Sequence, residues 1–315
     1  MTTLGKTAGA LFWMFRYLER SENLARLIDA GLRISLTNSS ASSQEWRSIL
    51  MTCDLDEEYE EAEQEHSLTR VVNYLLRDKS HQGSVLMMIE RARDNARVAR
   101  TAITREVWEA TNECYIAVRD RLSRQVREAD LTGILGMIRQ HSALVRGALH
   151  GTMLRNDVYN FARIGTFLER SDNTARILDV KYYLLLPSLS HVGSTLDTSQ
   201  WDMLLRSLSA QRSYRWLNPN ETRPRDVARF LILDQRLPRS VLFCARKIDE
   251  NLQWLARDYG ETLDSQKIAA EMVSRIEATT IEQMFETGLH EFLQQFQIEN
   301  QALASQIEKD YRFNG

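Results

Sequence analysis

Glu19, Asn23 and Arg26 are spaced i, i+4, i+7, and the same residue types return at Glu169, Asn173 and Arg176. On an α-helix that spacing lines each triplet along one face. Arg20 and Arg170 directly follow the two glutamates. Such a set offers two chemistries. Paired carboxylates in a closed site exchange protons with a substrate, and guanidinium forks bind carboxylates or phosphates through two parallel hydrogen bonds. A plainer alternative is a solvated helix flank, where an intrahelical Glu–Arg pair contributes only about 0.3 kcal/mol. The same angular sector also carries Phe12, Ala30 and Ile34 in the first copy and Ala162, Val180 and Leu184 in the second. Another helix is therefore expected to cover the polar residues. Covered charge must be paired, because an isolated buried ion is costly. Two arrangements meet that demand. The copies neutralise each other as a structural network, or they line a shared central pocket whose carboxylates and guanidiniums face a ligand.

Other signatures of catalysis are weak. Glu63-Gln64-Glu65-His66 holds one ExxH, the spacing of di-metal helical bundles, but those use it twice with further glutamates. The six histidines (His66, His81, His141, His150, His191, His290) form neither HExxH nor HxxxH, so no metal site is expected. There is no GxGxxG, no GxxxxGK[ST] and no nucleophile elbow. No cofactor, and no ATP binding by this chain alone, is expected. Arg212-Ser213-Tyr214-Arg215-Trp216 interleaves aromatic and basic residues, but the stretch is too short to make a nucleic-acid surface.

The triplets must be held by long helices, and those helices are a repeat. Leu18–Asp29 (LERSENLARLID) returns as Leu168–Asp179 (LERSDNTARILD), with eight of twelve positions identical at an offset of 150. Trp46, Ile49 and Leu50 are echoed by Trp201, Leu204 and Leu205 at offset 155. Val71, Leu75, Asp78, Ser84, Val85, Leu86 and Asn95 recur at offset 156, from Val227 to Asn251. A period of half the chain means duplication rather than a solenoid of short repeats. The expectation is an all-α protein, a helical bundle of two duplicated halves, about 1–155 and 156–315, packed as one domain with pseudo-twofold symmetry.

Helix one is expected over Thr7–Leu36, with Leu11, Met14, Tyr17, Leu18, Leu24, Ala25, Ile28 and Leu32 on one broad apolar face. A polar loop at 37–43 follows, then a helix from Gln44, an acidic stretch at Asp54–Glu65 and an apolar helix over Ser67–Arg77. Ser84 is an expected N-cap for a helix over Val85–Thr104, which carries Ala92-Arg93-Asp94-Asn95-Ala96-Arg97. Its alanines allow close approach of a neighbour. Helices over Arg105–Arg127 and Leu131–Met153 complete the first half. The second begins with a helix over Asn160–Leu186, ended by Pro187, and finishes with two helices over Asp264–Tyr311. All four prolines fall at expected helix boundaries.

At 315 residues the chain is long enough to bury a large core. A net charge of −3 offers no argument for nucleic acid or an anionic membrane. Basic charge is carried by 34 arginines against 6 lysines, consistent either with base composition and surface pairing or with bidentate anion recognition. Cys53, Cys114 and Cys244 form no CxxC pair, which suits a reducing cytoplasm. Ala8–Phe15 is a short apolar run after Lys6, like a signal-peptide core, but the same helix recurs internally, where no signal acts. No stretch approaches the roughly 20 apolar residues of a membrane span.

The helix LFWMFRYLERSENLARLID, the stretch Ser84–Asn112, GTFLERSDNTARILDVKYYLLLP (Gly165–Pro187) and FLILDQRLPRSVLFC (Phe230–Cys244) resemble the bacterial alpha-E family over essentially the full length. That group is named for an α-helical fold and a Glu-Arg motif. The resemblance places the motif at Glu19-Arg20 and Glu169-Arg170, and a second one at Ala92–Arg97, with Asp94 where the family carries Glu. Arg93, Asp94 and Arg97 thereby join the candidate polar pocket. Phe15 stands where the family's first helix usually carries Gly, whereas Gly165 keeps it. That bulk argues against close backbone approach at the first motif. Members of the family resemble components encoded beside, or fused to, a circularly permuted ATP-grasp ligase, often with a transglutaminase-like peptidase. The resemblance therefore implies an accessory or substrate-handling role in a peptide-modifying, amide-bond-forming system. A peptide, an amino acid or the partner itself would be held, and no catalytic residue is implied. The rivals are an enzyme with Glu19 and Glu169 as paired acid/base groups, and a structural helical adaptor.

Overall fold

The computed structural model describes residues 3–37, 42–61, 65–184, 195–219 and 222–313. Among them the regular structure consists of fifteen helices and no strand. In chain order they are α1 (Gly5–Thr37), α2 (Ser42–Thr52), α3 (Asp56–Glu61), α4 (Leu68–Arg77), α5 (Val85–Val98), α6 (Arg105–Leu122), α7 (Glu128–Thr152) and α8 (Asp157–Leu184). The second part continues with α9 (Thr195–Ser207), α10 (Gln211–Leu217), α11 (Pro224–Leu233), α12 (Val241–Tyr259), α13 (Asp264–Ala278), α14 (Ile281–Thr287) and α15 (Leu289–Asp310).

The two motif-bearing helices pack against each other at the centre. α1 is further surrounded by α2, α5, α7 and α9, and α8 by α12 and α15. The crossing is close because Gly165 has no side chain: a Cβ there would lie 2.3 Å from the carbonyl oxygen of Phe12. Phe15 is fully buried instead, one of the large residues of the core. Central position also corrects the expectation of a single apolar face on helix one. Alongside Leu11, Met14, Leu18, Ala25 and Ile28, the helix buries Glu19, Ser21, Glu22 and Asn23. Neighbours on several sides leave little of α1 to water.

Local chemistry explains most helix ends. The Ser84 hydroxyl accepts from Met87 N and donates to Asp78 O at 2.6 Å. Ser240 does the same before α12, accepting from Phe243 N at 3.1 Å and donating to Asp234 O at 2.5 Å. Pro224 opens α11 at a position needing no amide hydrogen. The helix expected to run from Val85 to Thr104 stops at Val98, because Thr104 is already the N-cap of α6. α6 itself ends at Leu122, short of Arg127, and α7 begins at Glu128. The tail holds three helices rather than two. Thr280 caps α14 through reciprocal hydrogen bonds with Gln283, each side chain accepting from the other's backbone N–H, and Gly288, at φ 107°, separates α14 from α15. The acidic stretch folds in part as α3, anchored by buried Tyr59, whose hydroxyl donates to Glu65 O at 2.9 Å. Residues 38–41, Glu63 of the ExxH, Pro187 and His191 lie outside the described residues, as do the side chains of Ile34 and Leu184.

Candidate functional site

The two copies of the Glu-Arg motif grip each other. Arg20 of α1 donates from Nε and Nη2 to the two oxygens of Glu169, at 2.5 and 2.9 Å. Arg170 of α8 donates in the same two-pronged way to Glu19, at 2.9 and 2.8 Å. Both glutamates are buried, so this is the low-dielectric setting in which bidentate pairs are strongest and unpaired partners most costly.

Each glutamate also has further arginines. Glu169 accepts from Arg16 Nε at 3.1 Å. Glu19 lies 3.0 Å from Arg239 Nη1 and 3.6 Å from Arg146 Nη1. Beside it, Glu22 accepts from Arg26 at 3.0 and 2.6 Å, from Arg239 at 3.3 Å and from Arg146. The i, i+4 partner of Arg26 is therefore Glu22, not Glu19, and the matching pair in α8 is Arg176 with Asp172 at 2.8 Å. Asn23 joins by accepting from Arg239 Nη1 at 2.8 Å.

These surroundings set the protonation states. Burial by itself raises the Glu19 carboxyl, but Arg170, Arg239 and Arg146 outweigh it and hold the group well below the usual range. Burial likewise raises Glu169, and Arg20 and Arg16 bring it down. Both are firmly ionised, which makes them poor proton donors. Asp172 differs: burial raises it, Arg176 opposes, Glu169 adds to the rise, and the net direction is upward. Arg239, fully enclosed, is brought down to about 10 by burial, against the pull of Glu19.

A cavity of about 280 Å³ opens on the Glu169 side of this network, close to the lower end of ligand-pocket sizes. Of the residues singled out from sequence, Arg20, Asn23, Glu169, Asn173 and Arg176 line it, together with Asp172, Cys53, Asp54, His81 and Gly83. Glu19, Arg26 and Arg170 belong to the network behind it and do not line it. Arg93, Asp94 and Arg97 are not brought to it. Arg93 donates to Asn112 Oδ1 at 2.8 Å and covers the Tyr115 ring, while Asp94 and Arg97 are exposed and 3.6 Å apart. α5 turns Ala92 and Ala96 inward, which puts its charged residues on the other side.

His81 was not marked by any spacing in the sequence. It is buried, stacked on Tyr74 at 4.5 Å between ring centroids, and its Nε2 has no partner among the described residues. Burial lowers its pKa, against Glu58, so the ring is neutral. Asn23 Nδ2 is the other buried, unpartnered nitrogen at the cavity wall. Cys53 is not a nucleophile candidate, since burial pushes its thiol up to about 12. Among the described residues no group of three or more His, Cys, Asp or Glu could hold a metal ion, and no helix is long and apolar enough to cross a membrane. Sequence reasoning also missed Arg16, Arg146 and Arg239. Arg16 sits one turn before Arg20, but the other two come from α7 and from the turn before α12.

Comparison with curated proteins and with solved structures gives no match. Residues 3–311 match the family described as a predicted alpha-helical domain with a conserved ER motif. With a match spanning nearly its whole length, the chain belongs to the Alpha-E family.

Proposed function

We propose that this protein is a substrate-handling component of an amide-bond-forming system, and that the cavity beside Glu169 holds a peptide or amino-acid ligand. The observation that carries this reading is the lining: two guanidiniums (Arg20, Arg176), three carboxylates (Asp54, Glu169, Asp172) and two amides (Asn23, Asn173) converge on one small space. An amino acid or peptide end presents the complementary ammonium, carboxylate and amide groups. The activating chemistry would come from a circularly permuted ATP-grasp ligase, with a transglutaminase-like peptidase as a further partner. The protein would work beside them in the cytoplasm. On this reading the halves 1–155 and 156–315 form one domain related by a pseudo-twofold axis, and the cross-paired glutamates are the joint between them. Acid/base catalysis by Glu19 and Glu169 is less favoured, because both carboxyls are held ionised by arginines. The test is co-purification with a circularly permuted ATP-grasp ligase and assay of its turnover. A change in ligase rate on adding this protein supports the reading, and absence of both binding and effect removes it.

A further inference from the structure

Gly83 and Arg239 occupy matching places in the two halves. Each directly precedes the serine that caps the next helix, Ser84 for α5 and Ser240 for α12, and they are separated by the same 156 residues as those caps. The turns before them are built alike, with the capping hydroxyl donating to the carbonyl of Asp78 or of Asp234. Their surroundings correspond at three positions. The Arg239 guanidinium is received by Glu19, Glu22 and Asn23 of α1, at 3.0, 3.3 and 2.8 Å. Gly83 lines the cavity together with Glu169, Asp172 and Asn173 of α8, the residues 150 positions after those three. One half thus fills with the Arg239 guanidinium a place that in the other half is a cavity, with the His81 imidazole packed over Gly83 in its wall.

We infer that the cavity is built to receive a guanidinium or alkylammonium group of a ligand, in the place that Arg239 fills in the opposite half. The inference rests on the proposed ligand-holding role of this cavity and names the part of the ligand that goes deepest. Glu169 and Asp172 would accept its N–H groups as Glu19 and Glu22 accept those of Arg239, and the Asn173 carbonyl oxygen would stand in for that of Asn23. Asp172 agrees with this: with a salt bridge to Arg176 and only a weaker pull from Arg16, its buried carboxyl is raised, whereas Glu22, faced by Arg26, Arg146 and Arg239, is lowered despite burial beside Glu19. The rest of the ligand would leave past Arg20 and Arg176, where a carboxylate finds partners.

The experiment is calorimetric titration of the full chain with methylguanidinium, propylammonium, acetate and the neutral isostere N-methylurea. Saturable binding of either cation, at least roughly tenfold tighter than N-methylurea, is expected, as a charge-assisted donor replaces a neutral one. Asp172→Asn should weaken cation binding at least roughly tenfold through loss of a charged acceptor, and Asn173→Ala should weaken it to a smaller degree. Both changes leave the Glu19–Arg170 and Glu169–Arg20 pairs in place, and a melting curve checks that each variant is folded. Cation binding that is absent, or unaffected by both variants, overturns the inference. Acetate binding without cation binding overturns it too, while leaving the ligand-holding role standing; if none of the four binds, both readings fall together.

Discussion

Gly165 of α8 rests on the backbone of Phe12 of α1, so closely that a single added methyl group would sit 2.3 Å from the Phe12 carbonyl oxygen. That contact sets the distance between the helices carrying the two Glu-Arg motifs. Backbone cannot move aside as a flexible side chain can, so Gly165→Ala must push the helices apart. The expected loss is about 3 kcal/mol or more, as for other overpacked core sites. Gly136→Ala in α7, where nothing lies within 4 Å of the added carbon, should instead stabilise by up to about 1 kcal/mol from helix propensity. Urea unfolding midpoints of the two variants check both signs.

Removing one partner of the buried pairs should cost far more than either pair contributes. Glu169→Gln leaves Arg16 and Arg20 without their carboxylate, and a loss of roughly 3–5 kcal/mol is expected from the stranded charge. Arg170→Gln exposes the same effect from the other side, through Glu19. In a double-mutant cycle, Glu19→Gln with Arg170→Gln should lose less than the sum of the singles, with a coupling of about 1–3 kcal/mol. Additive losses would mean that the arginines act independently of these carboxylates.

Asp172 should behave in the opposite sense to Glu169, although both are acidic residues of one motif. A carboxyl whose pKa is raised by folding is destabilised in its charged form, so its contribution is favourable only at low pH and is lost as pH rises through the raised value. At neutral pH Asp172→Asn is therefore expected to leave the melting temperature unchanged or higher, while Glu169→Gln lowers it. Melting curves of both variants at pH 7, in the absence of ligand, separate the two.

Acid should unfold the protein in two stages. His81 is a buried, neutral ring, and His150 is an exposed one whose partial desolvation, with Arg163 and Arg155 beside it, holds it down to about 4. Below the ordinary histidine value of 6.5 the unfolded chain takes up protons that these rings do not, so stability falls from about pH 6.5 downward. Glu19, Glu22 and Glu169 have lowered pKa values, so their contribution is full above 4.5 and drains away as pH drops below it. A first gentle slope and a second steep one are expected in urea midpoints measured from pH 7.5 to 3. His150→Gln should flatten only the first.

How far the sequence carries the reader depends on whether a signal is local. The helix pair and its motif are visible because the duplicated positions stand at one constant offset, and the need to pair covered charge follows from residue type. The identity of the partners does not follow. Arg146 and Arg239 reach Glu19 and Glu22 from positions over 120 and over 210 residues later, and no spacing along one helix marks such contacts. Ala92–Arg97 shows the converse. Its residue types match those of the site, but the rotation of α5 is fixed by Ala92 and Ala96 packing inward, which leaves Asp94 and Arg97 in water. His81 is hidden for a third reason: its place depends on the turn from Asp78 to Ser84 and on Gly83, whose added Cβ would meet the imidazole at 2.8 Å.

The reciprocal grip of Arg20 on Glu169 and Arg170 on Glu19 makes each half the counter-ion of the other. A gene split between α7 and α8 would yield two polypeptides, each with an acid and a base designed for a surface it no longer has. Neither should persist alone, yet the pieces should find each other when co-expressed. If the pieces reassemble, the exchange of charges is by itself enough to specify which surface meets which.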